Sequence, residues 1–531
     1  MTCKKKRILL VNDFSQLPTG YGLYGRHLLS ILSEKYEVAE LACYVSAGDP
    51  RINNCAWKVY PNKPKDEREK QIYNSMPSGE YGEYLFNKVC LDFKPTHVID
   101  IRDPWAFEFA IRSPFREYFS HVLMPTVDAF PNMPDWLDYY AQSDALLTYS
   151  EFGRDSILKQ SSNINFIGIA SPAPSESLHI KSDEEIALLK KNMQIPDGFK
   201  IIGTVMRNQP RKLFADLFEV FSKSHGNYSI LYCHTGFPDL GWNIPELLME
   251  YNITNRVMFS YKCSTCNAIS ARFFTDAVCH CPKCGNFTNH IAGVGHGYTD
   301  DELCCVYNCM DGYIQCSKNE GFGIPLVEAA KCGVPIAGVY YSAMESILDN
   351  LDGYVIGVDS YEKEASTGRN LARPNHKLLS DCIINFSSTP KHILKEKGYA
   401  MAKSCERLYN WGNVREVWFK AIENARPARY TWDSPKRIFH PEPIMQVPTA
   451  FEQANFLILR VLGRPDMVGG QLWRRLVKDL TYGARFGSYG EFYFNESSQK
   501  DSMKQIPFSY ENAYEEICKL RHYFNSWESG R

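Results

Sequence analysis

Glu320-Gly-Phe-Gly-Ile-Pro-Leu-Val-Glu328 sets two carboxylates seven residues apart, with glycines beside the first. Pro325 suits the first turn of a helix carrying the second, and Gly333 suits its left-handed exit. The loop before that helix aims free backbone N–H groups and a positive helix end at its guest. An anion such as a nucleotide diphosphate fits there. Two acceptor-only side chains beside it take hydrogen bonds from vicinal hydroxyls, as on a ribose and a hexose. Upstream, Arg207 and Lys212 stand five positions apart, just past the apolar run 199–205.

A second cluster has a different chemistry. Cys263-Ser-Thr-Cys266 and Cys281-Pro-Lys-Cys284 form C-x2-C-x14-C-x2-C. Four thiolates at that spacing bind zinc tetrahedrally, and four filled positions leave none for water, so the metal would be structural. Cys279 and His280 are adjacent spares.

The elements that must position these groups alternate between strand and helix. The first domain reads as strands at 7–12, 96–101, 120–124 and 144–150, with helices at 21–35 and 151–160. Asp103 and Asp128 follow two of those strands, where ligands of a doubly wound sheet bind. A second unit has strands at 199–205, 228–233, 255–260 and 312–316, with a capping box at Thr299 to Glu302. Gly20, Gly22 and Gly25 spell G-x-G-x-x-G, but seven loop residues separate them from the strand. That spacing argues against a dinucleotide site and for a loop closing over a sugar or phosphate.

The Glu320 to Glu328 segment resembles the E-x7-E signature of retaining GT4 glycosyltransferases, which have the GT-B fold. The likeness spans residues 7–425 and is strongest over 199–350. It implies an α/β chain of two Rossmann-like domains facing a cleft. The expected divisions are an acceptor domain at 1–195 and a nucleotide-sugar domain at 196–400. A zinc ribbon at 261–290, a crossover helix at 401–426 and a helical extension at 427–531, with helices at 450–462 and 470–482, complete them. The resemblance implies that Arg207 and Lys212 grip the donor diphosphate, that Glu320 contacts the donor sugar and Glu328 the ribose. Gly321, Phe322 and Gly323 would offer backbone to sugar and phosphates, and the Gly20–Gly22 loop would close over them.

Many GT4 members carry a histidine where this chain has Pro125-Thr-Val-Asp128. Asp128, with Asp103 second, is then the candidate to orient or deprotonate the acceptor hydroxyl. With no D-x-D triplet, catalysis without an obligatory divalent ion is expected. The expected activity is a hexosyl or pentosyl transfer from a UDP- or GDP-sugar, with retention implied by the resemblance alone. The acceptor is a glycan or a hydroxymethylated base in DNA, with a non-catalytic nucleic-acid-binding scaffold as the competing class.

Composition sets outer bounds. The chain has 531 residues, 44% hydrophobic, with a net charge of -2, which argues against a protein coated in positive potential. The eighteen cysteines, without a visible secretory leader or membrane-spanning run, read as reduced thiols of a cytoplasmic protein.

Overall fold

The computed structural model describes residues 5–224, 228–293 and 295–433, together with Asn455 and Ile458. The helices expected at 450–462 and 470–482 otherwise lie outside the described residues. Ile8, Leu9, Leu10 and Val11 are fully buried, so the strand Arg7–Asp13 needs cover on both faces. It pairs in parallel with Glu37–Cys43 on one side and His97–Asp100 on the other. Seven parallel strands result, in the order Lys58–Pro61, Glu37–Cys43, Arg7–Asp13, His97–Asp100, Ser120–Leu123, Ala145–Thr148 and Phe166–Ile169. The helix Gly20–Ser33, capped by the Thr19 hydroxyl, buries Leu28, Leu29 and Leu32.

The second sheet has six parallel strands. Val257–Cys263, Ser229–His234, Lys200–Val205, Gly312–Gln315, Ile336–Val339 and Tyr354–Ile356 lie side by side. The antiparallel strands Ile269–Phe273, Val278–Cys279 and Asn289–Ile291 extend it beyond Val257–Cys263. The cysteine ribbon therefore grows out of a core strand: Cys263, its first ligand candidate, is that strand's last residue.

A hairpin, Val358–Lys363 with Asn370–Pro374, follows the last parallel strand, and nothing in the hydropathy pattern announces it. The final helix, Trp411–Asn424, returns to the first lobe. There the Trp418 indole N–H donates to the Tyr24 hydroxyl at 2.8 Å, and His97 Nε2 lies 3.1 Å from the Ile422 carbonyl. Both sheets thus share one compact body with a cleft between them.

Candidate active site and cysteine centre

Every parallel strand of a lobe ends on the same edge, so the loops after those strands converge. In the second lobe, the loop after Lys200–Val205 is stitched to the loop after Gly312–Gln315. Leu213 N donates to Cys316 O at 3.0 Å, and Lys318 N donates to Arg211 O at 2.9 Å. The Trp242 indole N–H fixes the same loop by donating to Lys212 O at 2.6 Å. This backbone seam delivers Arg211 and Lys212 to Glu320.

Glu320 is 5% exposed, and four side chains donate to its carboxylate. Arg211 Nη1 donates to Oε2 at 2.9 Å, while Ser317 Oγ and Gln315 Nε2 donate to Oε1 at 2.6 Å each. The Lys212 ammonium also donates to Oε1. Burial alone would raise this carboxyl, yet Lys212 and Arg211 beside it hold it far below the usual range. Lys212, itself buried, is lowered to about 8, with Glu320 opposing the fall. An isolated ion pair here would be costly; a four-donor cage offsets the desolvation.

The cleft above this cage is a cavity of about 540 Å³. Gly20, Tyr21, Asp103, Thr126 and Asp128 line it from the first lobe, and Arg211 with the 320–325 loop from the second. At Gly321 the lobes approach closely, since a Cβ there would stand 2.4 Å from Thr126 Cγ2. Gly323 caps the helix Ile324–Lys331 at φ 105°, a conformation that side-chain-bearing residues rarely adopt.

The two candidate carboxylates of the first lobe differ. Asp128 has both oxygens taken by the opposite lobe: Arg369 Nη1 donates to Oδ1 at 2.5 Å and Asn319 Nδ2 to Oδ2 at 2.7 Å. The Arg369 guanidinium also lies over the Trp136 ring, 5.1 Å from its centre. Asp128 thus works as an interlobe clasp. Asp103 faces the Tyr21 phenol, which sits 2.6 Å from Thr126 Oγ1. Burial, with Asp128 beside it, pushes the Asp103 carboxyl up to about 6.

Four expected residues stand apart from the cavity lining, Lys212 among them, buried against Glu320. Arg207 is half-exposed and donates to Asp239 through Nε and Nη2, both at 3.1 Å. Glu328 accepts from the Tyr307 hydroxyl at 2.7 Å, and burial raises its carboxyl to about 7. Gly22 lies in the first turn of its helix, its N–H donating to Thr19 Oγ1 at 3.0 Å. Arg211, Asn319 and Arg369 were not singled out from sequence. Arg211 carried a usable signal, being joined to Lys212; Arg369 carried none, being 241 positions from Asp128.

The ribbon gathers its four sulfurs. Cys263 and Cys284 Sγ are 3.6 Å apart, as are Cys266 and Cys281 Sγ, and all four lie within 4.8 Å of one another. Tetrahedral thiolates at ~2.3 Å from a metal would stand ~3.8 Å apart, so the set fits one ion. Each knuckle closes in the left-handed region just after its second cysteine, at Asn267 (φ 56°) and Gly285 (φ 75°). The two spares are committed elsewhere: Cys279 Sγ accepts from Asn289 Nδ2 at 3.5 Å, and His280 Nδ1 lies 2.9 Å from Gly285 O.

Comparison with known proteins fits this geometry. Residues 287–378 match the family model "Glycosyl transferases group 1". A 120-residue stretch is 32% identical to the GtfA subunit of the UDP-N-acetylglucosamine–peptide N-acetylglucosaminyltransferase of Limosilactobacillus reuteri subsp. suis. That match covers 22% of this chain and 21% of that protein, so the chain spans about a fifth of the curated relative's length. Among solved structures, sucrose-phosphate synthase from Thermosynechococcus elongatus superposes with a TM-score of 0.58 at 13% identity, over 78% of this chain and 98% of that one. HepE of Anabaena, in complex with UDP and glucose, gives 0.54 at 12% identity, over 79% and 99%. Residues 287–378 are therefore a glycosyl transferases group 1 region, set within a chain that has the GT-B fold.

Proposed function

We propose that this chain transfers a hexosyl or pentosyl group from a nucleotide-sugar to a hydroxyl of an acceptor glycan, with retention. One observation carries the reading: Arg211 and Lys212 meet Glu320 at the floor of a cleft whose wall is the Gly321–Phe322–Gly323 backbone. As the donor bond breaks, negative charge gathers on phosphate oxygens, and fixed cations stabilise it more in the transition state than before it. Glu320 keeps both cations in place. Gly321 and Gly323 let backbone approach the sugar and phosphates. Glu328, on the next helical turns, serves the ribose, and Arg207 joins the phosphates by leaving Asp239. UDP is the favoured nucleotide, since HepE was solved with UDP-glucose. Asp103, in the cleft and with a raised proton affinity, takes or orients the acceptor proton.

The four-cysteine cluster holds zinc and braces the ribbon. A role in gripping DNA is poorly supported by its charge. Residues 261–290 contain three cations, Lys262, Arg272 and Lys283. Lys262 is bound to Glu302 at 2.7 Å, and Arg272 to the His280 carbonyl at 2.7 Å. Duplex binding draws on many phosphate contacts.

Nucleotide release from a panel of UDP- and GDP-sugars, with oligosaccharide acceptors, tests the reading. Turnover with one donor and anomeric retention in the product are expected. No release from any donor would refute it.

A further inference from the structure

Three aromatic rings stand beyond Asp103 along the carboxyl edge of the first sheet. Tyr44 follows the strand Glu37–Cys43, and a φ of 65° turns it away from the strand's path. Tyr81 ends the short turn Gly79–Tyr81. Trp105 lies two residues after Asp103, in a turn closed by Ala106 N donating to Asp103 O at 2.9 Å. The rings of Tyr81 and Trp105 are 4.6 Å apart at 78°, and those of Tyr44 and Tyr81 are 6.2 Å apart at 87°.

This row is built, not incidental. Arg102, 2% exposed, donates through Nε to Asp100 Oδ1 at 2.8 Å and through Nη1 to the Tyr81 carbonyl. A buried guanidinium thereby ties the Tyr81 turn to the strand that leads to Asp103. Yet Trp105 remains 48% exposed. Burying an indole face normally stabilises a fold, so a rigidly held, uncovered one invites a guest.

The surrounding charge narrows the guest. Asp13 acts on Tyr44, and Glu80 and Asp103 act on Tyr81, while Arg102 is already engaged by Asp100. Stacked bases would also suit aromatic faces, but their phosphates need cations, and here carboxylates prevail. A sugar ring offers an apolar C–H face for stacking and rim hydroxyls that donate to carboxylates.

We propose that Trp105, supported by Tyr81 and Tyr44, is a stacking platform for an uncharged sugar ring of the acceptor glycan. That ring lies one unit beyond the sugar whose hydroxyl meets Asp103. Its role as an acceptor subsite rests on the glycosyl-transfer reading above; the binding itself does not.

The test separates the two. Full-length protein is titrated calorimetrically with maltohexaose, cellohexaose, chitohexaose and xylohexaose, and with a hydroxymethylcytosine-containing single-stranded DNA. At least one oligosaccharide should bind, Trp105→Ala should weaken it about tenfold or more, and Trp105→Phe should restore it to within about threefold. Binding of no oligosaccharide, equal binding by Trp105→Ala, or tighter binding of the DNA than of every sugar would overturn the platform. Nucleotide release is measured in parallel. If no donor is turned over while the binding pattern holds, the platform stands and the transferase reading falls.

Discussion

The two walls of the cleft are organised in opposite ways. On the second-lobe wall, Glu320 receives four side-chain donors, and its cations are fixed by a backbone seam between two loops. On the first-lobe wall, Asp103 has no such cage among the described residues, and Trp105 beside it stays uncovered. A wall already paired loses little freedom when charge develops on a bound phosphate, which is where preorganisation counts most. A loosely committed wall suits a partner that must enter, react and leave. On the function proposed above, the donor then belongs at the second lobe and the acceptor at the first.

The strongest way to break that contrast is to dismantle the cage. Lys212→Ala removes one of the two cations of the cage, and kcat/KM should fall ~100-fold or more. It also leaves Glu320 buried with one fewer partner, which costs up to ~3–5 kcal/mol of stability. Glu320→Gln is the sharper probe. It preserves volume and two hydrogen bonds while freeing Arg211 and Lys212, so the fold should survive denaturant titration with activity largely lost. Wild-type turnover in Glu320→Gln would show that the cage has no part in the reaction.

The ribbon offers the next largest effect. Cys281→Ser, or a strong chelator, should strip about one metal equivalent per chain and open the 263–285 segment to protease. The ribbon is tied to the body by Ala271 N donating to Met193 O at 2.8 Å. A drop in thermal stability is therefore expected alongside the metal loss. Retention of the metal in Cys281→Ser would point to Cys279 or His280 as a replacement ligand.

Much of this was legible in the sequence wherever the determinant is local. The Thr299–Glu302 capping box, the helix Glu151–Gln160 and the C-x2-C knuckles are each set by residues within a few positions of one another. The edge strands Lys58–Pro61 and Phe166–Ile169 were not, because neither is fully buried and neither carries a long apolar run. The surroundings of the two aspartates were also hidden. Asp128, the first acid–base candidate by sequence, has its oxygens bonded by Arg369 and Asn319, both distant in sequence. Glu320, expected to contact the donor sugar, has three side-chain donors on Oε1 and one, Arg211, on Oε2.

Arg211 and Arg207 sharpen the comparison within the second lobe. Arg211 lines the cavity and is held by Glu320, whereas Arg207 faces Asp239 outside it. Arg211→Ala should lower kcat/KM for the donor by ~10–100-fold, and Arg207→Ala by ~10-fold or less. The reverse order would mean that Arg207, once released from Asp239, carries more of the phosphate charge than Arg211, and Asp239→Asn should then raise the affinity for the donor.

The smallest expected effect tests the first-lobe wall through pH. The folded-state pKa of Asp103, about 6, lies above the ordinary aspartate value of 3.8, so the protonated form is favoured by folding. Its contribution to stability is full below pH ~4 and is lost as pH rises through ~6. Asp103→Asn should therefore be more stable than wild type near pH ~7.5, by ~1–2 kcal/mol, with the gain vanishing near pH ~4. The same substitution should lower kcat, and the wild-type limb of kcat/KM that falls below pH ~6 should be missing from the variant's profile. A stability gain that is equal at both pH values would mean that the substitution acts through packing. Asp103 would then be ionised at no cost, and the proton acceptor would have to be sought elsewhere along that wall.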